Sequence, residues 1–164
     1  MKRINSIKYQ MMAIVAVVCV TFTACGGDDD SENVVKTSNG VHRIDVSFGG
    51  DASGWNCQAM FIGTRGNTHD VKLYENGKEV TETPGAFAGQ GFRDYSVETD
   101  ANCDMFVVTV TGLRNSTSAE TITVTLKGYV NGKQTNMKVF EFKPDKQVKS
   151  CVFYSEDFGA DVLQ

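Results

Sequence analysis

"TITVTLKGYV", residues Thr121 to Val130, is the stretch that decides the fold. Ile122, Val124 and Leu126 alternate with polar residues, so one set of side chains is apolar and the other is hydrophilic. Because successive side chains of a strand point to opposite faces, this period of two predicts a β-strand with one buried face. Strands with one solvated face belong to antiparallel sheets.

The same alternation continues outward through the chain from Val41, and no stretch sustains a helical period. We predict about nine strands, at residues 41–48, 55–63, 70–75, 78–82, 92–98, 104–111, 121–130, 134–142 and 147–154. Two Asn-Gly pairs, at residues 76–77 and 131–132, predict β-hairpins because both residue types tolerate positive φ. Short strands between regular turns predict an all-β fold. We expect a single antiparallel β-sandwich domain over residues 41–164, immunoglobulin/fibronectin-like or jelly-roll-like, with a barrel as the alternative.

Residues 110–132, "VTGLRNSTSAETITVTLKGYVNG", resemble the passage from strand E to strand F of fibronectin type III domains. The tyrosine of that family is absent, since Thr121 or Thr123 stands in its place. The resemblance implies a sandwich and carries no function with it.

Charge and composition limit the classes of partner. The chain has 164 residues and a formal net charge of −4, with 41% hydrophobic and 22% charged residues, which suits a soluble domain with a packed core. Lys2, Arg3 and Lys8 are the only charged residues among the first 24, so the remainder carries −7. An acidic body without a basic stripe argues against nucleic acid as a partner.

Residues 1–24 have the pattern of an export leader. A positively charged start is followed by the apolar run "MMAIVAVVCV", residues 11–20, and then by small or polar residues up to Cys25. The run is shorter than the roughly 20 apolar residues that a transmembrane helix needs. We therefore expect the leader to be removed as a signal peptide.

"FTAC", residues 22–25, resembles the lipobox of bacterial lipoproteins, with Phe22 where leucine is usual. The resemblance implies cleavage before Cys25 and acylation of that cysteine. Such an anchor is physically sufficient, because each buried methylene contributes about 0.8 kcal/mol and two or more acyl chains give lasting attachment. The alternative is a soluble secreted protein with an ordinary cleavage site.

Residues 25–40 are expected to form a flexible acidic tether, because "GGDDDSEN", residues 26–33, contains no hydrophobic residue. "CGGDDD", residues 25–30, resembles the start of surface-displayed lipoproteins of the Bacteroidetes type, in which the acidic run is an export address. This resemblance implies lipid anchoring in the outer membrane at the cell surface, with the periplasmic face as the alternative.

Three cysteines remain in the expected domain: Cys57, Cys103 and Cys151. An exported protein can form disulfides, but an odd number leaves at least one thiol unpaired. A bridge between Cys57 and Cys103 would close a loop of about 46 residues and contribute roughly 4 kcal/mol. The alternative is three reduced thiols, buried or half-buried.

No catalytic or metal-binding pattern is present in the sequence. His42 and His69 stand in no metal-ligand spacing and there is no Cys-x-x-Cys, so we predict neither a metal nor a cofactor. His42 is expected on the surface of a strand and His69 in an exposed turn. Without a Gly-x-Ser-x-Gly motif or a phosphate-binding loop, we predict no catalytic residue and no enzyme activity.

Two aromatic residues are the candidates for ligand binding. Residues 81–91, "TETPGAFAGQG", are predicted to form a long loop with Phe87 at its centre, and long loops in compact domains often carry function. Phe87 either plugs the end of the sandwich or contacts a ligand. Trp55 either caps the core or offers a flat face to a sugar.

These patterns together predict a lipid-anchored cell-envelope lipoprotein with a non-catalytic binding or structural domain. The first alternative is a glycan-binding accessory lipoprotein of a polysaccharide-uptake system, and the second is a small surface hydrolase. The expected partners are the membrane, through the acylated N-terminus, and an extracellular glycan or an envelope protein.

Overall fold

Ten strands and no helix make up residues 38–158, the part of the chain that the computed structural model describes. The strands are β1 (His42–Gly49), β2 (Trp55–Thr64), β3 (Leu73–Glu75), β4 (Lys78–Glu79), β5 (Ala86–Gln90), β6 (Tyr95–Thr99), β7 (Met105–Arg114), β8 (Ile122–Val130), β9 (Lys133–Phe142) and β10 (Val148–Tyr154). These residues all belong to one compact unit. Within the described range, no helix is long and apolar enough to cross a membrane.

The strands form an antiparallel β-sandwich, which confirms the predicted fold class. The large sheet has six strands in the order β4-β3-β6-β1-β8-β9, and the small sheet has four in the order β10-β7-β2-β5. All the strand pairs within both sheets are antiparallel. The leader, Cys25 and most of the expected tether lie outside the described residues.

The core lies between the two sheets and is built by the alternation. β8 buries Ile122, Val124 and Leu126 and leaves the intervening threonines half-exposed. At the opposite sheet, the ring of Phe61 lies with its centroid 6.0 Å from that of Phe87 and 6.1 Å from that of Phe106. Full burial of a large apolar side chain contributes about 1.5–3 kcal/mol, so contacts between the sheets supply most of the stability.

The two predicted Asn-Gly hairpins are confirmed. Asn76 and Gly77, between β3 and β4, have φ values of 51° and 79°. Asn131 and Gly132, between β8 and β9, have φ values of 48° and 78°. Two successive positive φ values define a type I′ turn, whose twist matches that of the flanking strands.

The prediction of an unbroken loop over residues 81–91 is wrong, because this segment contains β5. β5 pairs with β2 from Gln58 opposite Gln90 to Ile62 opposite Ala86. Alanine and glycine have low strand propensity, so the local sequence gives little indication of a strand. Pairing with β2 and the burial of Phe87 stabilise it.

Residues that precede β1 also make hydrogen bonds to the rest of the domain. The backbone of Gly40 pairs with that of Cys103, with N···O distances of 3.0 and 2.9 Å. The amide of Ser38 donates to a carboxylate oxygen of Glu156 at 3.0 Å. The last residues of the expected tether are therefore hydrogen-bonded to the domain.

His42 is fully buried, so the prediction of a surface position is wrong. Its Nε2 lies 2.7 Å from the carbonyl oxygen of Ser38, and its Nδ1 lies 2.7 Å from the hydroxyl oxygen of Ser155. Because a carbonyl only accepts, Nε2 carries the hydrogen and donates it, and in the neutral ring Nδ1 accepts from Ser155. His42 thus connects the residues that precede β1 to those that follow β10.

The outer faces of the two sheets differ in charge. We call the outer face of the large sheet the charged face, since it carries Arg43, Asp45, Asp94, Glu98 and Lys127. We call the outer face of the small sheet the uncharged face. Its residues are Asn56, Gln58, Met60, Ile62, Thr64, Ala86, Ala88, Gln90, Met105, Val107, Thr109, Thr111, Leu113, Val148, Ser150, Val152 and Tyr154. None of these residues is ionisable near neutral pH, so the sandwich has one charged and one uncharged side.

Candidate binding groove

A groove of about 440 Å³ lies on the charged face. It is lined by Asp45, Val46, Ser47, Asn76, Asp94, Tyr95, Ser96, Thr125 and Lys127. The register of three strands creates this lining, because Asp45 on β1 pairs with Ser96 on β6 and with Lys127 on β8. The β3–β4 turn adds Asn76 at one end.

The carboxylate of Asp45 is held in place by its neighbours. The hydroxyl of Ser96 donates to Asp45 Oδ1 at 2.7 Å. Arg43 Nε lies 3.3 Å from the same oxygen, close enough for an ion pair, but this buried Nε makes no aligned hydrogen bond within the described residues. The guanidinium of Arg43 also stacks on the ring of Tyr129, 4.0 Å from its centroid.

Some of the other polar groups of the groove are engaged by the protein, and others are free to meet a ligand. The amide of Phe48 donates to Asp94 Oδ1 at 3.3 Å. Between residues 38 and 158, no protein hydrogen bond engages the side chains of Ser47, Asn76 or Lys127. The groove therefore combines hydrogen-bond acceptors, donors and groups that do both.

A row of side chains beside the groove places a tyrosine on each side of a glutamate and an arginine. In register, Tyr74 on β3 pairs with Glu98, Glu98 pairs with Arg43, and Arg43 pairs with Tyr129. The guanidinium of Arg43 covers the ring of Tyr129. Tyr74 is half-buried and precedes the groove residue Asn76 by two positions, so it is the tyrosine nearer to that end.

The two aromatic residues that the sequence suggested for ligand binding lie in the core. Trp55 is 4% exposed and its Nε1 donates to the carbonyl of Glu120 at 2.7 Å. Phe87 is 8% exposed and stacks on Phe61. Of the two alternatives given for each residue, the structure shows the core position in both cases. Neither residue lines the groove. The groove residues were missed because alternating polar side chains look like an ordinary solvated face until the register is known.

The structure does not bring Cys57 and Cys103 together, and the three described cysteines are free thiols. Cys103 lies two residues before Met105, which pairs with Thr64 at the far end of β2 from Cys57. That separation is about 23 Å along the strand, whereas a disulfide needs Cα atoms within roughly 7 Å. Burial raises the pKa of Cys57 and Cys103 to about 11 and that of Cys151 to about 12. Cys25, the predicted lipidation site, lies outside the described residues.

The described residues form no group of three His, Cys, Asp or Glu side chains that could hold a metal ion. Between residues 38 and 158, Ser155 is the one serine whose hydroxyl is hydrogen-bonded to a histidine ring, that of His42, and both residues are at most 1% exposed. A substrate cannot approach a hydroxyl in that position. His69 is exposed, as predicted, and lies just after the turn at residues 66–67 rather than within it.

Comparison with known proteins gives the fold and no family. No protein-family model and no curated protein matches the chain. The fold is similar to that of a DUF4425 family protein from Bacteroides ovatus, with a TM-score of 0.62 and 18% identity over 72% of this chain and 97% of that one.

Two further solved structures share the fold. A domain of unknown function, DUF4425, from Bacteroides vulgatus has a TM-score of 0.61 and 18% identity, over 73% of this chain and 97% of that one. The calcium-bound form of a protein from Parabacteroides distasonis has a TM-score of 0.56 and 15% identity, over 77% of this chain and 99% of that one. At these identities the similarity is one of fold, and it covers nearly the whole of each neighbour.

Proposed function

We propose that this chain is a lipid-anchored, non-catalytic lipoprotein of the cell envelope whose domain binds a glycan in the groove of the charged face. The observation that carries the proposal is the groove itself. Its volume of about 440 Å³ lies within the roughly 300–1,000 Å³ typical of ligand sites. Carboxylates that accept, an ammonium that donates and hydroxyls that do both are suited to the hydroxyl groups of a sugar.

The position of the groove also suits a polymer. Because it runs on the outer face of a sheet, an extended glycan can lie across β6, β1 and β8 without entering the core. Asp45 is fixed by Ser96 and Arg43, so one acceptor is already oriented before a ligand arrives. Pre-orientation reduces the entropy lost on binding.

The anchor and the location are supported by the sequence. The lipobox-like "FTAC" at residues 22–25 and the acidic start that follows it favour acylation of Cys25 and display on the outer membrane. A domain held at the cell surface meets extracellular glycans directly. A non-catalytic role is favoured because the buried His42–Ser155 pair is out of reach of a substrate.

Glycan binding is tested by retention of the protein on a broad panel of polysaccharides. The groove variant combines Asp94→Asn, which keeps Oδ1 as an acceptor for the amide of Phe48, with Lys127→Met, which keeps the side-chain length. We expect the wild type to be retained on at least one polysaccharide, and the groove variant to bind it at least tenfold more weakly.

The matched control makes the same chemical changes outside the groove. Glu141 and Lys143 form an exposed ion pair at 3.3 Å, so Glu141→Gln with Lys143→Met removes the same charges. This control should bind like the wild type, and all three proteins should share one unfolding midpoint. Equal retention of the groove variant, or no retention of the wild type on any polysaccharide, would refute glycan binding here.

We assign no calcium site to this chain. The Parabacteroides distasonis neighbour is described in a calcium-bound form, and Ca²⁺ takes six to eight oxygen ligands, several of them carboxylates. Here the groove offers Asp45 and Asp94, and Lys127 brings a positive charge into the same lining. Retention is therefore expected to be equal with calcium and with a chelator present.

A further inference from the structure

We propose that two copies of this chain associate through the uncharged face, with the small sheets packed face to face about a two-fold axis that runs parallel to the strands. The inference goes beyond glycan binding, since it uses the opposite side of the sandwich. It rests on the charge of the face, on its size and on the pairing of large with small side chains.

Charge favours this face as the contact between copies. The chain is acidic, with a formal net charge of −4, so two copies repel each other over most orientations. The uncharged face lets them meet without burying an unpaired charge, which is costly at an interface. Its apolar residues include Val148 and Val152, which are 42% and 46% exposed although large and aliphatic.

Side-chain size determines the axis. Ala88, Met60, Thr109 and Val152 form one row across the four strands of the sheet. A two-fold parallel to the strands places β5 of one copy over β10 of the other, so that Ala88 faces Val152 and Met60 faces Thr109. Every contact in this row joins a larger side chain to a smaller one.

The next row has the same register: Ala86, Ile62, Val107 and Tyr154 lie side by side across the same strands. The same axis places Ala86 opposite Tyr154. Val107 is only 4% exposed and the ring of Tyr154 packs against Phe158 of its own chain, so this row lies at the edge of the contact. A two-fold axis perpendicular to the strands would instead place β10 over β10 and β5 over β5. The large side chains of β10 would then face each other, and the alanines of β5 would leave gaps.

The area of the face indicates a weak dimer. β2 and β7 have 10 residues each, β10 has 7 and β5 has 5, so at about 3.3 Å per residue and about 4.8 Å spacing the face covers roughly 500 Å². Two such faces bury on the order of 1,000 Å², the size of weak, transient interfaces. We therefore expect a dissociation constant in the micromolar range. This axis also leaves both N-terminal ends on one side of the dimer, which suits two copies in one membrane if the proposed anchor is present.

Sedimentation velocity at increasing concentration measures the association. The protein is the chain from Gly26 to Gln164, which includes the compact unit and lacks Cys25. Thr109→Lys introduces a charge at the centre of the uncharged face, and Thr125→Lys introduces the same charge on the charged face. Both threonines are half-exposed on inner strands of their sheets.

We expect the wild type and Thr125→Lys to dimerise with dissociation constants within about twofold of each other. Thr109→Lys should raise the constant at least tenfold at an unchanged unfolding midpoint. A wild type that stays monomeric up to several hundred micromolar overturns the proposal. This holds equally if the face is covered by another protein or by the end of the chain itself. A Thr109→Lys variant that dimerises like the wild type also overturns it.

Cross-linking tests the axis independently. Ala88 and Val152 are three strand spacings apart within one copy, about 14 Å, which is too far for an internal disulfide. Across the proposed interface they face each other, so Ala88→Cys with Val152→Cys should give a covalent dimer on mild oxidation. Each single variant should give far less. No dimer from the double variant, or equal dimer from the single ones, contradicts this axis.

Discussion

At the scale of single residues, His42 shows how one buried polar side chain holds the two ends of the domain together. Its two ring nitrogens bond to Ser38 and Ser155, and all of its surface is buried. His42→Leu keeps the bulk and removes both hydrogen bonds. Each buried group left without a partner costs about 1–3 kcal/mol, so we expect a loss of roughly 2–4 kcal/mol in the free energy of unfolding in urea.

The other histidine is the control for this measurement. His69 is exposed, so His69→Leu should change the free energy of unfolding by less than about 0.5 kcal/mol. If the two leucine variants were equally stable, the hydrogen bonds of His42 would contribute nothing to the fold.

The three buried thiols set the response of the fold to alkaline pH. Burial raises the pKa of Cys57, Cys103 and Cys151 to about 11, 11 and 12, compared with about 8.5 for an unfolded cysteine. The fold therefore favours the neutral thiols. Their contribution to stability is complete below about pH 8.5 and decreases as the pH rises toward 11, because only the unfolded chain ionises in that window.

Two measurements check this sign. The urea midpoint should be flat from pH 6 to 8 and should fall from pH 9 to 10. At pH 8, a thiol reagent should label the native cysteines at least about 100-fold more slowly than the denatured chain, because the thiolate fraction is so small. Rapid labelling of the native protein would contradict the burial of these thiols.

At the scale of elements, two glycines of the β8–β9 hairpin allow the cost of backbone strain to be distinguished from the cost of side-chain overlap. Gly132, in the turn, has φ of 78° and open space where a Cβ would lie, so Gly132→Ala should cost about 1 kcal/mol from conformation alone. Gly128, within β8, has the backbone of Ser155 against it, and a Cβ there would overlap that carbonyl. Gly128→Ala should therefore destabilise by about 3 kcal/mol or more, since β8 and the end of β10 must separate.

Urea denaturation of the two alanine variants measures the difference, and Gly132→Asn serves as the control. Asparagine tolerates positive φ better than alanine, so this variant should recover part of the loss at Gly132. Equal losses at Gly128 and Gly132 would mean that the close approach of Ser155 does not limit the packing here.

Some elements were predictable from the sequence because local pattern and tertiary environment agree in them. β8 was predicted because its alternation of aliphatic and threonine residues matches a sheet with one wet face. β5 was missed because its alanines and glycine have low strand propensity and only pairing with β2 makes it a strand. His42 lies two and four positions before Ile44 and Val46, so the alternation of β1 points its side chain into the core as well. The prediction of a surface position followed the usual preference of polar side chains instead of this alternation.

The groove was not predictable, because its residues come together through register. Asp45 and Ser96 are hydrogen-bonded although they are 51 positions apart in the chain. No local pattern distinguishes such side chains from ordinary solvated ones. The sequence analysis named two aromatic residues as ligand-binding candidates instead. Trp55 and Phe87 are large and apolar, and packing between the sheets buries them.

At the scale of the whole molecule, the sandwich separates two kinds of contact. Its charged face carries the proposed glycan groove, and its uncharged face carries the proposed contact between copies. The two sites lie on opposite sides of one core, so a dimer leaves both grooves open. Two grooves in one assembly raise the apparent affinity for a repetitive polymer, because the second binding step is intramolecular.

The lipid anchor decides whether this molecule works at a membrane, and it depends on one atom, the sulfur of Cys25. Cys25→Ala removes the site of acylation, so the full chain should move from the membrane fraction to the soluble fraction and lose metabolic labelling by fatty acid. Cys19→Ala is the matched control, because Cys19 lies in the apolar run of the expected leader. It should leave fractionation and labelling unchanged, since the leader is removed with it. Continued labelling of Cys25→Ala would refute the anchor and with it the location at the outer membrane, while the groove and the uncharged face would be unaffected.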